Sequence, residues 1–292
     1  MKTTLKLAIW SLAALIAAGF TACKKDDIEI TEPHMTLTNN LGYIELDIID
    51  AESEVWIDLN NNGIKENNEV ISSFHNKYGY SFSSKTVTIY GKVTELDCSG
   101  NQLTALDVSK NSALIILECE QNRLTALDVS KNSALTNLEC YYNQLKALDV
   151  SKNSALKWLN CTGNQLTNLN LSKNTNLSVL VCSKNHLTAL NVSKNSALKW
   201  LYCNDNQLTE LNVIKNTKLE DLHCYNNNIY DSKMDALVNS LPDRTASTKG
   251  SFYVIKTGYG EEGNTCNPAQ VYIATNKNWK VLNSDGQPYN GQ

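Results

Sequence analysis

The stretch LDVSKNSALKWLNCTGNQLT, from Leu148 to Thr167, occurs with small changes several times along this chain of 292 residues. Its cysteine belongs to a column of seven that follow one another every 21 residues: Cys98, Cys119, Cys140, Cys161, Cys182, Cys203 and Cys224. A period of about 20 to 29 residues with leucines at fixed offsets is typical of a solenoid, in which each repeat forms one coil that stacks on its neighbours. This stretch therefore decides the fold.

The repeats share apolar positions, a cysteine and an asparagine. In successive coils these are Leu114, Leu117, Cys119, Asn122 and Leu124; Leu135, Leu138, Cys140, Asn143 and Leu145; Leu156, Leu159, Cys161, Asn164 and Leu166; Leu198, Leu201, Cys203, Asn206 and Leu208; and Leu219, Leu222, Cys224, Asn227 and Ile229. Over residues 91–230 the pattern resembles the leucine-rich repeat family, in the 21-residue bacterial form with a cysteine ladder that is found in internalin-like proteins. The resemblance implies an α/β-type repeat solenoid with a parallel β-sheet on its concave face.

Each repeat is expected to form one short strand around Leu-x-Cys, and side chains alternate between the two faces of a strand. Leu159 and Cys161 should therefore point into the core, whereas Trp158, Asn160 and Thr162 should lie on the concave face. The shared asparagines should pair backbone groups of the turns, which would otherwise be buried without hydrogen bonds.

We interpret the cysteine column as part of the core. A disulfide needs Cβ atoms about 3.8 Å apart, whereas in-register strands lie about 4.8 Å apart with equivalent side chains pointing the same way. The sequence has no Cys-x-x-Cys or Cys/His spacing typical of zinc, and a buried thiol packs as a small apolar group. Cys266 stands apart from the column; we expect a buried free thiol there, with a bridge to Cys224 as the alternative.

A second column consists of lysines at the same period: Lys110, Lys131, Lys152, Lys173, Lys194 and Lys215. It accompanies a column of Asp107, Asp128, Asp149, Asn170, Asn191 and Asn212. We interpret both as a solvated, charged face, because exposed ion pairs contribute only about 0 to 1 kcal/mol. An anion-binding stripe is the alternative.

Residues 1–22 are predicted to be a lipoprotein signal peptide, because Lys2 and Lys6 precede an apolar run, 7–18, that is too short to span a bilayer. The sequence FTAC, ending at Cys23, resembles the lipobox in which the cysteine becomes lipidated. The following KKDD resembles the tag of surface lipoproteins from Gram-negative gut bacteria, with an ordinary linker over 23–34 as the alternative. The resemblance implies a lipid-anchored protein of the outer membrane, exposed at the cell surface.

The charge of the chain excludes a strongly basic class of protein. The formal net charge is −4, from 26 basic and 30 acidic residues. Removal of residues 1–22, which contain two lysines and no acid, leaves 24 basic residues against 30 acidic ones, or −6. Nucleic acid is therefore not an expected partner.

Residues 35–90 lack the repeat and are predicted to form a small N-terminal β domain that covers the first coil, with strands at 43–48, 54–58 and 86–90. The sequence DLNNNGIKENNE, residues 58–69, fits the twelve-residue calcium loop. Its ligands would be Asp58, Asn60, Asn62, the carbonyl of Ile64 and a bidentate Glu69. Ca²⁺ is thus the candidate cofactor, bound weakly because two ligands are asparagines; a turn whose side chains bond their own backbone is the alternative.

Residues 231–292 are predicted to form a C-terminal α/β cap. Apolar spacing predicts a helix at 232–241, which ends before Pro242. A strand at 250–255, a helix at 267–276 with Pro268 in its first turn, and a strand at 279–282 follow.

The outward strand positions are where the repeats differ, so they are where binding specificity can lie. The candidate ligand-binding residues on the concave face are Tyr141, Tyr142, Trp158, Trp200, Tyr202, His223 and Tyr225, with Glu118 and Glu120 beside them. Aromatic side chains on a rigid, curved sheet are suited to anchor a ligand. The alternative is that the rings only stack on one another and protect the sheet.

Catalytic motifs are absent from the sequence, and its four histidines, His34, His75, His186 and His223, lie in unrelated segments, so no catalytic residue is proposed. We expect a monomeric surface protein that binds a protein ligand through its concave face. A glycan-binding lipoprotein and a structural envelope protein without a specific ligand are the alternatives.

Overall fold

A computed structural model describes residues 32–71, 77–258 and 262–291 of the chain. In chain order its elements are β1 (His34–Thr38), β2 (Tyr43–Ala51), β3 (Trp56–Asp58), β4 (Tyr78–Ser81), β5 (Thr86–Tyr90), β6 (Val93–Asp97), β7 (Ala105–Asp107), β8 (Ile116–Glu118), β9 (Asn137–Glu139), β10 (Trp158–Asn160), β11 (Val179–Val181), β12 (Trp200–Tyr202), β13 (Asp221–His223), α1 (Asp231–Ser240), β14 (Gly250–Ile255), α2 (Pro268–Asn276) and β15 (Trp279–Asn283).

The predicted solenoid is confirmed: one sheet of eleven strands runs the length of the described chain, in the order β15-β14-β13-β12-β11-β10-β9-β8-β6-β2-β4. From β6 to β15 neighbouring strands are parallel and one coil apart. Leu159 of β10 pairs in register with Leu138 on one side and Leu180 on the other. The 21-residue period therefore becomes a strict register across the sheet.

The core of each coil is made of the shared apolar residues. Leu156, Leu159, Cys161 and Leu166 of one coil are all fully buried, and so are their counterparts along the array. Burial of a leucine side chain contributes about 1.5 to 3 kcal/mol. Because each coil contacts only its neighbours, this stabilisation is shared between adjacent coils.

Two columns of asparagine, rather than the single one predicted, hold the turns together. In the predicted column, Asn164 donates to the carbonyls of Cys140 at 3.0 Å and Cys161 at 3.1 Å and accepts from the amide of Leu145 at 2.9 Å. The second column is Asn111, Asn132, Asn153, Asn174, Asn195 and Asn216, all fully buried. Each of its amides donates to the carbonyl of the preceding asparagine of the column where there is one, as Asn153 does to Asn132 at 2.8 Å.

The segment before the repeats covers the first coil. Strands β3, β5, β1 and β7 form a second, four-stranded sheet, in which β1 pairs antiparallel with β7 of the first coil. Strand β2 pairs antiparallel with β6 and extends the long sheet. Met35, Leu37 and Ile89 are buried between these layers, so the apolar end of the solenoid is closed.

The C-terminal elements form the predicted cap, with bounds within one residue of the predicted ones. Helix α2 begins with a capping box in which Asn267 and Gln270 each bond the other's backbone amide. Strands β14 and β15 do more than cover the end, because Ser251 pairs in parallel with Asp221 and continues the concave sheet. Neither helix of the described residues has the length and apolar character needed to cross a membrane.

Candidate functional site

The concave face carries two rows of outward side chains, one on each side of the buried leucines. The inner row is the strand residue after the leucine and reads Asp97, Glu118, Glu139, Asn160, Val181, Tyr202, His223 and Tyr253. The outer row precedes the leucine and reads Glu95, Ile116, Asn137, Trp158, Val179, Trp200, Asp221 and Ser251. The face thus changes along the solenoid from acidic, through apolar, to aromatic.

The middle of the outer row forms an apolar patch, which we call the tryptophan patch: Trp158, Val179 and Trp200. The three residues are in register on adjacent strands, and the two indole rings meet edge to face with centroids 6.2 Å apart. Trp200 remains 40% exposed, whereas Val179 between them is buried. The indole nitrogen of Trp158 is shielded from solvent and faces the carboxylate of Glu139 on the preceding strand. The patch is an apolar surface that adjoins an acidic side chain.

The C-terminal end of the face is an aromatic cluster. The ring of His223 stacks on Tyr253 at 3.9 Å and lies tilted against Tyr202 at 4.2 Å. Asp221 lies 3.2 Å from His223 Nε2 and accepts a hydrogen bond from the Tyr202 hydroxyl at 2.9 Å. Burial and that hydrogen bond raise the pKa of Tyr202. Tyr225 lies at the edge of this cluster, with its ring 6.3 Å from that of His223.

The N-terminal end of the face is an acidic row: Asp97, Glu118 and Glu139 on adjacent strands, with Glu120 beside them. Burial raises the pKa of Glu118 and of Glu120, and the acidic neighbours raise that of Glu118 further. Burial also raises the pKa of Glu139 to about 7, although Asn160 and the indole of Trp158 oppose the rise. One carboxylate oxygen of Glu120 is shielded from solvent and accepts no hydrogen bond from the described residues.

Tyr141 and Tyr142 occupy different places, although both were predicted on the concave face. Tyr141 follows the strand and donates a hydrogen bond to Glu120 at 3.4 Å. Tyr142 lies one residue further, in the turn at the edge of the sheet, with a φ of 50°. Its ring lies against Gly163 of the next coil, since a Cβ added there would meet the ring at 2.4 Å. Lys184 of the following coil reaches the Tyr142 hydroxyl at 3.5 Å.

The predicted calcium loop forms a turn in which its oxygen atoms bond its own backbone. Asp58 accepts from the amides of Asn62 at 3.0 Å and Gly63 at 2.7 Å. Glu69 accepts from the amides of Leu59 at 2.9 Å and Glu66 at 3.2 Å. Among the described residues, no group of three or more His, Cys, Asp or Glu side chains is placed to hold a metal ion. Calcium binding by Asp58, Asn60, Asn62, Ile64 and Glu69 stays a prediction.

The cysteines lie where the repeat predicts. All seven of the column, and Cys266, are buried free thiols. Burial raises the pKa of Cys161, Cys203 and Cys266 to about 12. It also raises the pKa of the other five members of the column well above the ordinary value of a thiol. The column therefore holds packed, protonated thiols. Lipidation of Cys23 falls outside the described residues, as does His75.

The lysine column lies exposed at the turns, and none of the ion pairs between described residues involves it. The aspartates of the neighbouring column accept instead from backbone amides two residues on, as Asp149 does from Ser151 at 2.8 Å. In the later coils asparagine makes the same bond, as Asn191 does with Ser193 at 3.0 Å. The column of aspartates and asparagines thus stabilises the turns.

Several residues of the site were not predicted. Glu139, Val179, Val181 and Asp221 occupy the same x-Leu-x strand positions as the predicted ones, so the repeat alignment itself could have found them. Tyr253 could not be found in this way, because β14 lies beyond the last 21-residue repeat and joins the sheet through a longer connection.

Solved structures share this fold. A leucine-rich repeat protein of Leptospira interrogans is 23% identical over 65% of this chain and 48% of its own, with a TM-score of 0.52. Among internalins of Listeria monocytogenes, inlF is 17% identical over 65% of this chain and 60% of its own, with a TM-score of 0.51. Internalin C2 is 22% identical over 65% of this chain and 81% of its own, also with a TM-score of 0.51.

The present chain thus spans about half the length of the Leptospira protein that it matches. No protein-family model matches the chain, and no curated protein matches it in sequence. At these identities the likeness shows the fold: an internalin-like leucine-rich repeat solenoid with a ladder of buried cysteines.

Proposed function

We propose that this protein recognises a protein partner through its concave face. The tryptophan patch is the observation that carries the proposal, because two indoles and a valine are held in register on a rigid sheet and one indole is 40% exposed. Tryptophan and tyrosine supply large contact areas at a low cost in conformational entropy, and they dominate the energetics of protein interfaces. The internalin-like fold is of a kind that surface proteins use to bind proteins.

The packing of the site supports binding over mere protection of the sheet. Trp158 and Trp200 meet edge to face, yet Trp200 stays 40% exposed and Val181 on the inner row is only half-buried. The indole of Trp158 also faces the carboxylate of Glu139. The patch therefore adjoins polar groups, as the apolar centre of a protein interface usually does.

Glycan binding is the second candidate, and Tyr142 is the observation that favours it. Its ring lies against Gly163, is contacted by Lys184 through its hydroxyl, and remains 48% exposed. A ring fixed in this way can stack on the apolar face of a sugar. A role as a structural envelope protein requires no such exposed rings.

The proposal includes anchoring by lipid at Cys23, in the outer membrane and facing outward, which rests on the lipobox-like sequence alone. Incorporation of a labelled fatty acid into the protein, absent in Cys23→Ser, would support it. Labelling that persists in the variant would contradict it.

The binding face is tested by capture of partners from cell-surface extracts. Trp158→Ala with Trp200→Ala should abolish capture of a specific protein. A matched control is Tyr230→Ala with Tyr272→Ala, which removes two aromatic side chains that are 51% and 67% exposed away from the concave face. Capture that survives the tryptophan changes would overturn the assignment to the concave face. Loss of glycan binding in Tyr142→Ala alone would favour the second candidate.

A further inference from the structure

We propose that the partner presents a cationic, amphipathic segment, with an apolar side chain on the tryptophan patch and arginine or lysine side chains over the acidic row. This inference rests on the proposed function and specifies the chemistry of the partner.

The two parts of the site are continuous. Glu139 pairs in register with Asn160, and Asn137 with Trp158, so the last carboxylate of the acidic row lies one strand from the first indole. Adjacent strands are about 4.8 Å apart. An extended segment that crosses three or four coils therefore reaches from the centre of the tryptophan patch to Glu118.

The acidic row has a single cation paired with it among the described residues, at its N-terminal end. Lys77 pairs with Asp97 at 3.2 Å, and it is the only base that forms an ion pair with the row within the described parts of the chain. Glu118 and Glu139 take part in none of the ion pairs between described residues. Like charges on adjacent strands destabilise a sheet, so the fold alone gives no reason to place these carboxylates side by side.

One acceptor of the acidic row is left without a partner. One oxygen of Glu120 is shielded from water and makes no hydrogen bond among the described residues, whereas the carboxylate of Glu139 is faced by the Trp158 indole and the Asn160 side chain. A guanidinium group offers several donors in one plane and suits two neighbouring carboxylates.

The burial of the carboxylates also favours a cationic partner, because it raises the pKa of Glu118, Glu120 and Glu139. A cation placed over these groups replaces the solvation that burial removes. The groups that face Glu139 are Glu118 and Glu120 from the preceding coil, with Asn160 and Trp158 from the next. Cation binding should therefore be coupled to release of a proton from this cluster near neutral pH.

Other ligand classes fit the face less well. An anionic polymer would be repelled by the row. A metal ion needs converging ligands, and no metal-binding group of acids, histidines or cysteines occurs in the part of the chain that the structure describes. A cationic protein segment complements the charge of the row and offers a donor to the unpaired oxygen of Glu120.

The test uses three synthetic peptides of equal length, built from six Leu-Arg, Leu-Gln or Leu-Glu repeats, and isothermal titration of the whole protein. We expect the Leu-Arg peptide to bind at least about tenfold more tightly than the Leu-Gln peptide, and the Leu-Glu peptide to bind more weakly than both. Binding of the Leu-Arg peptide should release protons at pH 7. The release is seen as a dependence of the measured heat on the ionisation enthalpy of the buffer.

The critical variant is Glu118→Gln, Glu120→Gln and Glu139→Gln together, which keeps side-chain shape and removes three charges. It should lose the preference for the Leu-Arg peptide and the proton release. The matched control is Asp107→Asn, Asp128→Asn and Asp149→Asn, which removes three exposed charges from the outer turns. Asparagine makes the same turn bond in later coils, so this control should fold and bind as the parent does.

The outcomes separate the two proposals. If the Leu-Arg peptide binds no better than the Leu-Gln peptide, or if the control variant loses the preference as fully as the glutamine variant, the cationic partner is excluded. If captured partners and all three peptides are insensitive to Trp158→Ala with Trp200→Ala, the concave-face function itself fails. Loss of capture in the tryptophan variant, with the glutamine variant unchanged, would contradict only the cationic chemistry.

Discussion

Glu139 lies on the concave face at a position that disfavours its charged form in the folded protein. Burial raises its pKa to about 7, whereas the pKa of a glutamate in an unfolded chain is about 4.3. The folded state therefore favours the protonated side chain. Any stability that this preference provides is complete below the unfolded pKa and is lost as the pH rises through 7.

Replacement of Glu139 by glutamine should remove this pH-dependent penalty. We expect Glu139→Gln to melt at a higher temperature than the parent at pH 8, and the difference to disappear by about pH 4. The gain should stay within about 1 to 2 kcal/mol, since the group is partly exposed and solvent screens it. Thermal unfolding followed by circular dichroism across this range checks the sign; a difference that grows as the pH falls would contradict it.

The buried cysteines lead to a second prediction at the residue scale. Because burial raises the pKa of Cys161 and Cys203 to about 12, their reactive thiolate forms are scarce at pH 8. In native Cys23→Ser protein, a bulky thiol reagent should label all eight described cysteines slowly, and in denaturant it should label all of them at once. Rapid native labelling of most of the column would show that the ladder is not a packed layer.

At the scale of the element, the turn after each strand repeats a left-handed residue. The positions are Gly100, Gln121, Tyr142, Gly163, Lys184, Asp205 and Asn226, with φ between 50° and 72°. Most of the coils therefore tolerate a side chain in this conformation. At Gly163 the constraint is different, because the ring of Tyr142 occupies the space of a Cβ.

Gly163→Ala should accordingly destabilise the protein through the ring of Tyr142 as well as through backbone strain. We expect a loss of about 2 kcal/mol, of which about 1 kcal/mol comes from the left-handed backbone. The same substitution in a Tyr142→Ala background should lose only the backbone part. Denaturant unfolding of the four proteins gives the coupling energy; strictly additive effects would mean that ring and glycine do not depend on each other.

The calcium prediction belongs to the same scale. The turn of residues 58–69 is held by hydrogen bonds from its own backbone amides to the carboxylates of Asp58 and Glu69. With a dissociation constant of about 1 mM, as its two asparagine ligands suggest, 10 mM calcium would stabilise the protein by about 1.4 kcal/mol. Asp58→Asn should abolish the rise in melting temperature, and the exposed Asp50→Asn should keep it. An unchanged melting temperature in calcium would leave the loop as a turn.

The sequence repeat predicts those side-chain positions of the strands and turns that follow from its period. Leu159 and Cys161 identify the buried face, and from them the outward position of Trp158 follows by alternation. The column of Asn153 was missed because it lies in a Ser-Lys-Asn turn that reads as solvated; full burial of an amide there depends on stacking between coils. Tyr253 depends on a long-range pairing of β14 that no local pattern specifies.

At the scale of the whole molecule, the chain is a one-dimensional array whose two ends are built differently from its middle. The N-terminal end is closed by antiparallel strands and lies next to the acidic row, whereas the C-terminal end is closed by α1 and α2 and lies next to the aromatic cluster. The two ends of the concave face therefore differ in chemistry, and an elongated partner should bind the face in one orientation. This polarity follows from the order of unequal repeats.

A buried arginine of the cap also contacts the last coil. Arg244 is 6% exposed and donates to the carbonyl of Leu219 at 2.8 Å and to that of Thr248 at 3.0 Å, while its guanidinium lies 5.8 Å from the centre of the Trp279 ring. Among the ion pairs between described residues, none involves it, so its charge is balanced by carbonyl dipoles and an aromatic ring.

Arg244→Met should keep the packing on Trp279 and leave the Leu219 carbonyl unpaired, at a cost of about 2 kcal/mol. Because β13, β14 and β15 are continuous strands of one sheet, we expect a single unfolding transition at a lower temperature. The exposed Arg123→Met is the matched control and should change stability by less than about 0.5 kcal/mol. A separate early transition, confined to the cap, would instead show that the cap folds independently of the coils, and that the arginine only attaches it.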